Sequence, residues 1–194
     1  VVTYPGKPVG AVTLANDAFT GNSTHSGPVY QDPECPGCSW DMRAGGAVFV
    51  GGAGAPTQII GCTFTSNRTG DAPAGYDPSW PGSGMFSHGG AVYVSGAPLT
   101  VTDSVFTDNA TGTGSTGEAG LGVGKGGAIY GGENTTLTVT GSSFTGNGTG
   151  PGGGATSGNG GNGGNGGAIF VFFGSTLNVS DAVFTGNSTG PGGT

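Results

Sequence analysis

Leu99-Thr-Val-Thr-Asp-Ser-Val-Phe-Thr-Asp-Asn-Ala-Thr111 is one of five copies of a single phrase in this chain. The copies align on Phe19, Phe64, Phe106, Phe144 and Phe184, at spacings of 45, 42, 38 and 40 residues, and each opens a Phe-Thr-x-Asn-x-Thr motif. Four of them are followed by a second phrase, Gly-Gly-Ala-Val/Ile, at 45–48, 89–92, 126–129 and 166–169. A period of this size predicts a repeat architecture, in which each unit buries its apolar face against its neighbours.

Within the first phrase, columns one and three are mostly Val, Leu or Ile and columns two and four mostly polar. Alternation of this kind is strand grammar, and it turns columns one and three inward. The Phe falls on the opposite parity. An extra residue must therefore be absorbed by a bend near Asn16, Gly61, Asp103, Gly141 and Asp181, all residue types that turns favour. The second phrase supplies another strand, with Val48, Val92, Ile129 and Ile169 expected inward and Phe49, Tyr93, Tyr130 and Phe170 outward. The reverse parity stays open at this point. Helix is disfavoured throughout, because no i, i+3, i+4 pattern appears and Gly recurs too often.

The fold class expected is all-β: a right-handed parallel β-helix of about five coils, ~4.8 Å apart along its axis. The whole of 1–194 reads as one domain. The minimal coil leaves segments 25–44, 70–88, 112–125 and 150–165 as inserts at one corner. The first two carry Tyr30, Trp40, Met42, Tyr76, Trp80, Met85 and Phe86, and are expected to pack on the coil. The last two are nearly all Gly, Ser, Thr and Asn, and read as flexible loop, with packed polyglycine strands as the alternative.

Composition narrows the function classes. The chain has 47 Gly in 194 residues, only 8% charged residues and a net charge of −7, where an average soluble domain is about 25% charged. Four Lys and Arg in all argue against nucleic acid as a partner. No apolar run approaches the roughly 20 residues of a membrane span. The first residue is Val1, so the chain reads as a mature product or a segment of something longer.

Gly-Gly-Ala-Ile together with Phe-x-x-Asn resembles the repeat pair of chlamydial polymorphic membrane proteins and other surface proteins with right-handed parallel β-helix repeats. The resemblance covers almost the whole chain and implies the fold. It implies no single function, since such solenoids serve adhesins, autotransporter passengers, fibre proteins and polysaccharide-degrading enzymes alike.

Asn22, Asn67, Asn109, Asn147 and Asn187 share one corner of the repeat. They can point inward as a hydrogen-bonded ladder. All five also read Asn-x-Thr, the acceptor sequence for N-linked glycan. One Asn cannot do both. Asn134 (Asn-Thr-Thr) and Asn178 (Asn-Val-Ser) are acceptor sequences outside that corner, the first in a connecting loop and the second in an outward column. A carbohydrate coat would keep so uncharged a surface soluble.

Cys35 and Cys38, in Cys-Pro-Gly-Cys, are expected to form a local disulfide in an oxidising compartment, since no thioredoxin-like setting surrounds them. Cys62 falls on an inward column and reads as a buried thiol. A zinc site from the three Cys with His25 or His88 lacks metal spacing, and no cofactor is expected. Asp32, Glu34, Asp41, Asp71 and Asp77 scatter over the inserts, and Asp103 and Asp181 are separated by the Gly141 coil. Glycoside hydrolysis needs two carboxyls close together, so the chain does not read as an enzyme. Thr20, Thr65, Thr107, Thr145 and Thr185 form a file that could order ice, but the second file, present at Thr100/Thr102 and Thr138/Thr140, fails at Ala15, Ile60 and Asn178/Ser180.

Both ends read as uncapped. Val1, Val2, Thr3 and Tyr4 resemble the strand after a Gly-Gly-Ala, and Gly192, Gly193 and Thr194 resemble its start. The expectation is therefore an extracellular structural protein at the cell surface. Its partners are copies of itself, as a head-to-tail polymer or a tandem array, and covalent glycan. An adhesin that binds through the insert flank is the alternative.

Overall fold

The computed structural model describes residues 2–3, 10–26, 43–51, 56–72, 87–116 and 124–194. Cys35, Cys38, Val1, Tyr4 and all the aromatic and Met residues named in the first two inserts lie outside them. Among the described residues there is no helix; every regular element is a strand. None is a helix long and apolar enough to cross a membrane.

The chain visits three parallel five-stranded sheets in the same order, five times over. The first sheet holds β1 (Val2–Thr3), β4 (Val48–Gly51), β7 (Val92–Ser95), β10 (Ile129–Gly131) and β13 (Ile169–Val171). The second holds β2 (Val12–Ala15), β5 (Thr57–Ile60), β8 (Leu99–Thr102), β11 (Thr136–Thr140) and β14 (Thr176–Ser180). The third holds β3 (Ala18–Thr20), β6 (Thr63–Thr65), β9 (Val105–Thr107), β12 (Ser143–Thr145) and β15 (Val183–Thr185). Each sheet pairs repeat with adjacent repeat, so the five repeats stack as levels.

Register is constant from level to level. Phe64 lies against Phe106 and Phe106 against Phe144, Ile59 against Val101 and Val101 against Val139, and Val92 against Ile129. A one-residue slip would turn each apolar set outward. One hydrophobic cluster draws on all three sheets, with Val48, Ile59, Phe64, Val92, Leu99, Phe106, Ile129, Leu137 and Phe144 fully buried. Rings of the Phe column stack nearly parallel, with centroids 4.7 to 4.9 Å apart from Phe19 to Phe184.

The bend that reconciles the two parities is a residue in left-handed conformation. Asn16, Gly61, Asp103, Gly141 and Asp181 have φ of 58°, 60°, 48°, 61° and 50°. Asx and Gly alternate there for a steric reason. The Asn16 Oδ1 would lie 2.6 Å from a Cβ on Gly61, and the Asp103 Oδ1 would lie 2.3 Å from one on Gly141. A level whose lower neighbour carries the Asx side chain has no room for its own.

The Gly-rich inserts depart from the flexible-loop expectation. Residues 150–155, 159–164 and 190–194 lie side by side. The Gly152 amide donates to the Pro191 carbonyl, Gly193 to Gly161, and Gly161 to Gly153, each at 2.8 Å. A Cβ on Gly153 would stand 1.7 Å from the Ser115 carbonyl oxygen, and one on Gly190 2.1 Å from that of Gly150. With no side chains to hold them apart, these backbones satisfy each other's polar groups at close range.

Candidate functional site

The repeated Asn-x-Thr corner is a double ladder. Backbone bridges join Ser23, Arg68, Ala110, Gly148 and Ser188, the middle residues of the five triads, in a parallel file. On one side of it run the asparagines. Asn67 donates its amide and Nδ2 to the Asn109 Oδ1, and the second Nδ2 hydrogen to the Phe19 carbonyl below. Asn109 repeats the pattern with Asn147 and Phe64, and Asn147 with Asn187 and Phe106. Each amide thereby connects three levels.

The threonines run on the other side. Gly70 donates its amide to the Thr24 Oγ1, Gly112 to Thr69, Gly150 to Thr111 and Gly190 to Thr149, at 2.9 to 3.1 Å. The sequence reading missed this second ladder. Its signal was present: the middle residue of the triad varies among Ser, Arg, Ala and Gly, while Thr never does.

The glycan reading of the inner triads is therefore corrected. Asn67, Asn109 and Asn147 are fully buried and both hydrogens of each Nδ2 are committed, so none can carry a sugar in the folded chain. Asn22, at the edge, is exposed, and Asn187 is half-buried; both still belong to the ladder through the Asn67 Oδ1 and the Phe144 carbonyl. Asn134 and Asn178 are exposed, Asn134 in a left-handed turn with φ of 53° and Asn178 on the outer face of β14 beside Thr138.

The last level is open. Leu177 is 39% exposed and Phe184 47%, whereas Leu137 and Phe144 one level below are fully buried. With Ile169 and Ala168 they line a shallow apolar recess, bounded by Asn187. Opposite, Leu14 of the first level is only 8% exposed and Phe19 is half-buried. Of the residues named as assembly ends, Val2 and Thr3 pair in register with Phe49 and Val50. Gly193 lies over Gly153 and Gly190 over Gly150, so Gly192 and Gly193 stand level with the fourth insert, not with the Gly-Gly phrase at 166–167.

A second aromatic column lies on the other face of the first sheet. Phe49, Tyr93, Tyr130 and Phe170 stack at 4.9, 5.3 and 5.8 Å, outside the hydrophobic cluster. Insert residues cover part of it: the His88 ring stacks on Tyr130 at 4.3 Å, and the Lys125 Nζ lies 5.0 Å from the Phe170 centroid. Burial, then the Lys125 charge, hold His88 down at about 3. Burial, with Tyr93 and Glu133 nearby, pushes the Tyr130 hydroxyl up to about 12.

Cys62 is a buried free thiol that donates to the Ile60 carbonyl, as the Ser104 hydroxyl does to Thr102 and Ser142 to Thr140. Among the described residues His25, Asp103 and Asp181 gather no partners into a site, and no group of three His, Cys, Asp or Glu that could hold a metal occurs. The chain matches no protein-family model, no curated protein and no solved structure.

Proposed function

We propose that the chain is an extracellular structural protein, a right-handed parallel β-helix of five coils that associates head to tail into a filament or surface appendage. The single observation that carries this reading is the unbroken register of like residues through five levels of three parallel sheets, a stacking that a further level of the same repeat would continue.

Hydrogen-bond polarity supplies the match. At the last level the Phe184 carbonyl and the Thr189 Oγ1 accept from no described residue, in positions where every inner level receives a donor. At the first level no described donor reaches the Asn22 Oδ1. A second copy laid first level on last would offer its Asn22 Oδ1 to the Asn187 amide, and its Nδ2 to the Phe184 carbonyl. Two last levels facing each other would not repeat the parallel register that joins every pair of adjacent levels, so the contact proposed is heterologous and does not close.

Glycan in this reading sits on Asn134 and Asn178, away from the stacking axis, and the role is structural, with no catalytic step assigned. The test is electron microscopy with sedimentation over a range of concentrations. Rods that lengthen with concentration, and that Leu177→Glu keeps short, are the expected outcome; short particles of one length at every concentration refute it. A cell-surface binding module is the second reading, favoured by the outer aromatic column and the exposed Phe172 and Phe173 at its end.

A further inference from the structure

The outer face of the third sheet carries two files of side chains in register. Each of its strands is three residues long, with the Phe of the core column in the middle and a residue turned outward on either side. One file is Thr20, Thr65, Thr107, Thr145 and Thr185. The other is Ala18, Thr63, Val105, Ser143 and Val183, and the two keep register across all five levels. A second file is missing from the second sheet at Ala15, Ile60 and Asn178/Ser180, yet the third sheet holds one of its own. Every member is small, and all but Ser143 present a methyl group.

The face is open, uncharged and periodic in two directions. Val105 and Val183 are 41% and 59% exposed, and Ala18, Thr20, Thr63, Thr145 and Thr185 are exposed as well. Neither file holds a charged residue or an aromatic one. The charges next to it in sequence are Asp17, Asp103, Asp108 and Asp181, on the flanking bends. Those of Asp103 and Asp108 point along the axis, toward Gly141 and Gly146 of the next level. Along that axis the files repeat with the stacked Phe rings, at 4.7 to 4.9 Å. Across it, residues two apart on one strand stand about 6.6 Å apart. Oxygen atoms in ice repeat along one lattice axis within a few tenths of an ångström of the first spacing. The Phe stack behind the face and the asparagine ladder beside it hold the array rigid.

We propose that this face of the third sheet binds ice. Each Thr hydroxyl offers one donor and two acceptors, and the methyl groups between them order first-shell water without bonding it. Two regular files therefore hold a layer of water at a repeat that an ice front can share, and no charge pulls that layer out of place. The alternatives fit the face less well. A polysaccharide surface calls for aromatic rings against its sugar faces, and the two files have none. A protein partner calls for a few large anchors seated in pockets, where this face is uniform and small. The property belongs to the side of the column, so it depends neither on the ends nor on head-to-tail association.

The experiment measures thermal hysteresis and ice recrystallisation for wild type, Thr107→Lys and Thr100→Lys in the 194-residue chain, with circular dichroism to establish equal folding. Thr107 stands at the centre of the Thr file, between Thr65 and Thr145. Thr100 faces out from the second sheet, between Gln58 and Thr138. Wild type is expected to open a gap between the melting and freezing points and to keep ice grains small. Thr107→Lys is expected to abolish both effects, and Thr100→Lys to leave both unchanged. Wild type without either effect overturns the proposal. So does an equal loss from Thr100→Lys, which moves the activity off this face. Lateral dimers in sedimentation that Thr107→Lys abolishes, with ice growth unaffected throughout, give the face to a second copy and overturn it too. Rod formation is read separately by microscopy, so a failure here leaves head-to-tail assembly standing.

Discussion

Asn109 donates twice to one atom of Asn147: its backbone amide and its Nδ2 reach the Asn147 Oδ1 at 3.0 and 2.9 Å. Truncating Asn109 to Ala would strip more than one bond. The Asn67 amide and Nδ2 would lose their acceptor and the Phe64 carbonyl its donor, all of them buried. Buried groups left unpaired cost about 1–3 kcal/mol each. Asn109→Ala is expected to destabilise by about 3–5 kcal/mol in urea unfolding. Asn187→Ala, half-buried on the open level, is expected to lose only about 1–2 kcal/mol. Equal losses at the two sites would show that the ladder does not act as a connected unit.

One inward column position breaks the apolar rule. Thr57 lies in register with Val12 and Leu99, is almost fully buried, and its Oγ1 has no hydrogen-bond partner. Thr57→Val keeps the branched shape and removes the unpaired hydroxyl. It is expected to raise stability by about 1 kcal/mol, read as a higher urea midpoint at unchanged slope. A lower midpoint would mean that the hydroxyl is satisfied in solution.

The Gly-rich fourth insert offers a sharper contrast between adjacent residues. A Cβ on Gly153 would overlap the Ser115 carbonyl at 1.7 Å, while one on Gly154 would meet nothing closer than the Thr194 carbonyl oxygen at 3.3 Å. Gly153→Ala is expected to lose about 2 kcal/mol or more, and Gly154→Ala to stay within about 0.5 kcal/mol of wild type. In a flexible loop both would be neutral or slightly stabilising, because Ala restricts the unfolded chain. Thermal unfolding of the pair separates the two pictures.

What the sequence made legible follows from where its constraints repeat. Phe19 to Phe184 and the bends from Asn16 to Asp181 recur at fixed offsets, and parity alone required a bend of one extra residue within each phrase, though not its left-handed conformation. The all-β character and the parallel pairing of like with like come from the same offsets. The inward Val48, Val92 and Ile129 could not be told from outward ones, because apolar residues occupy both parities of that strand. Packing of the Gly-rich inserts was hidden for a different reason: Gly has no side chain whose pattern could report a neighbour. The Asn-x-Thr triad left ladder and glycan acceptor both open, because two ladders happen to need the residue types that a glycan acceptor needs. Only burial separates those uses.

His88 gives the fold a pH dependence of known sign. Its folded value is held at about 3 by burial first and by the Lys125 charge second, against 6.5 for the free side chain. The neutral ring stacks on Tyr130, and its Nδ1 accepts the Lys125 amide at 3.0 Å. Between pH 6.5 and about 3 the unfolded chain binds a proton that the folded one refuses, so stability is fully present above 6.5 and falls as the pH drops. The slope approaches about 1.4 kcal/mol per pH unit once the pH is well below 6.5. His88→Phe retains a ring on Tyr130 and loses both the proton site and the acceptor. It is expected to be less stable at pH 7 and to show a flatter profile from pH 6.5 to 4.5, above the carboxylate range. Urea midpoints at half-unit intervals measure this directly, and an unchanged slope in the variant would assign the pH dependence to another group.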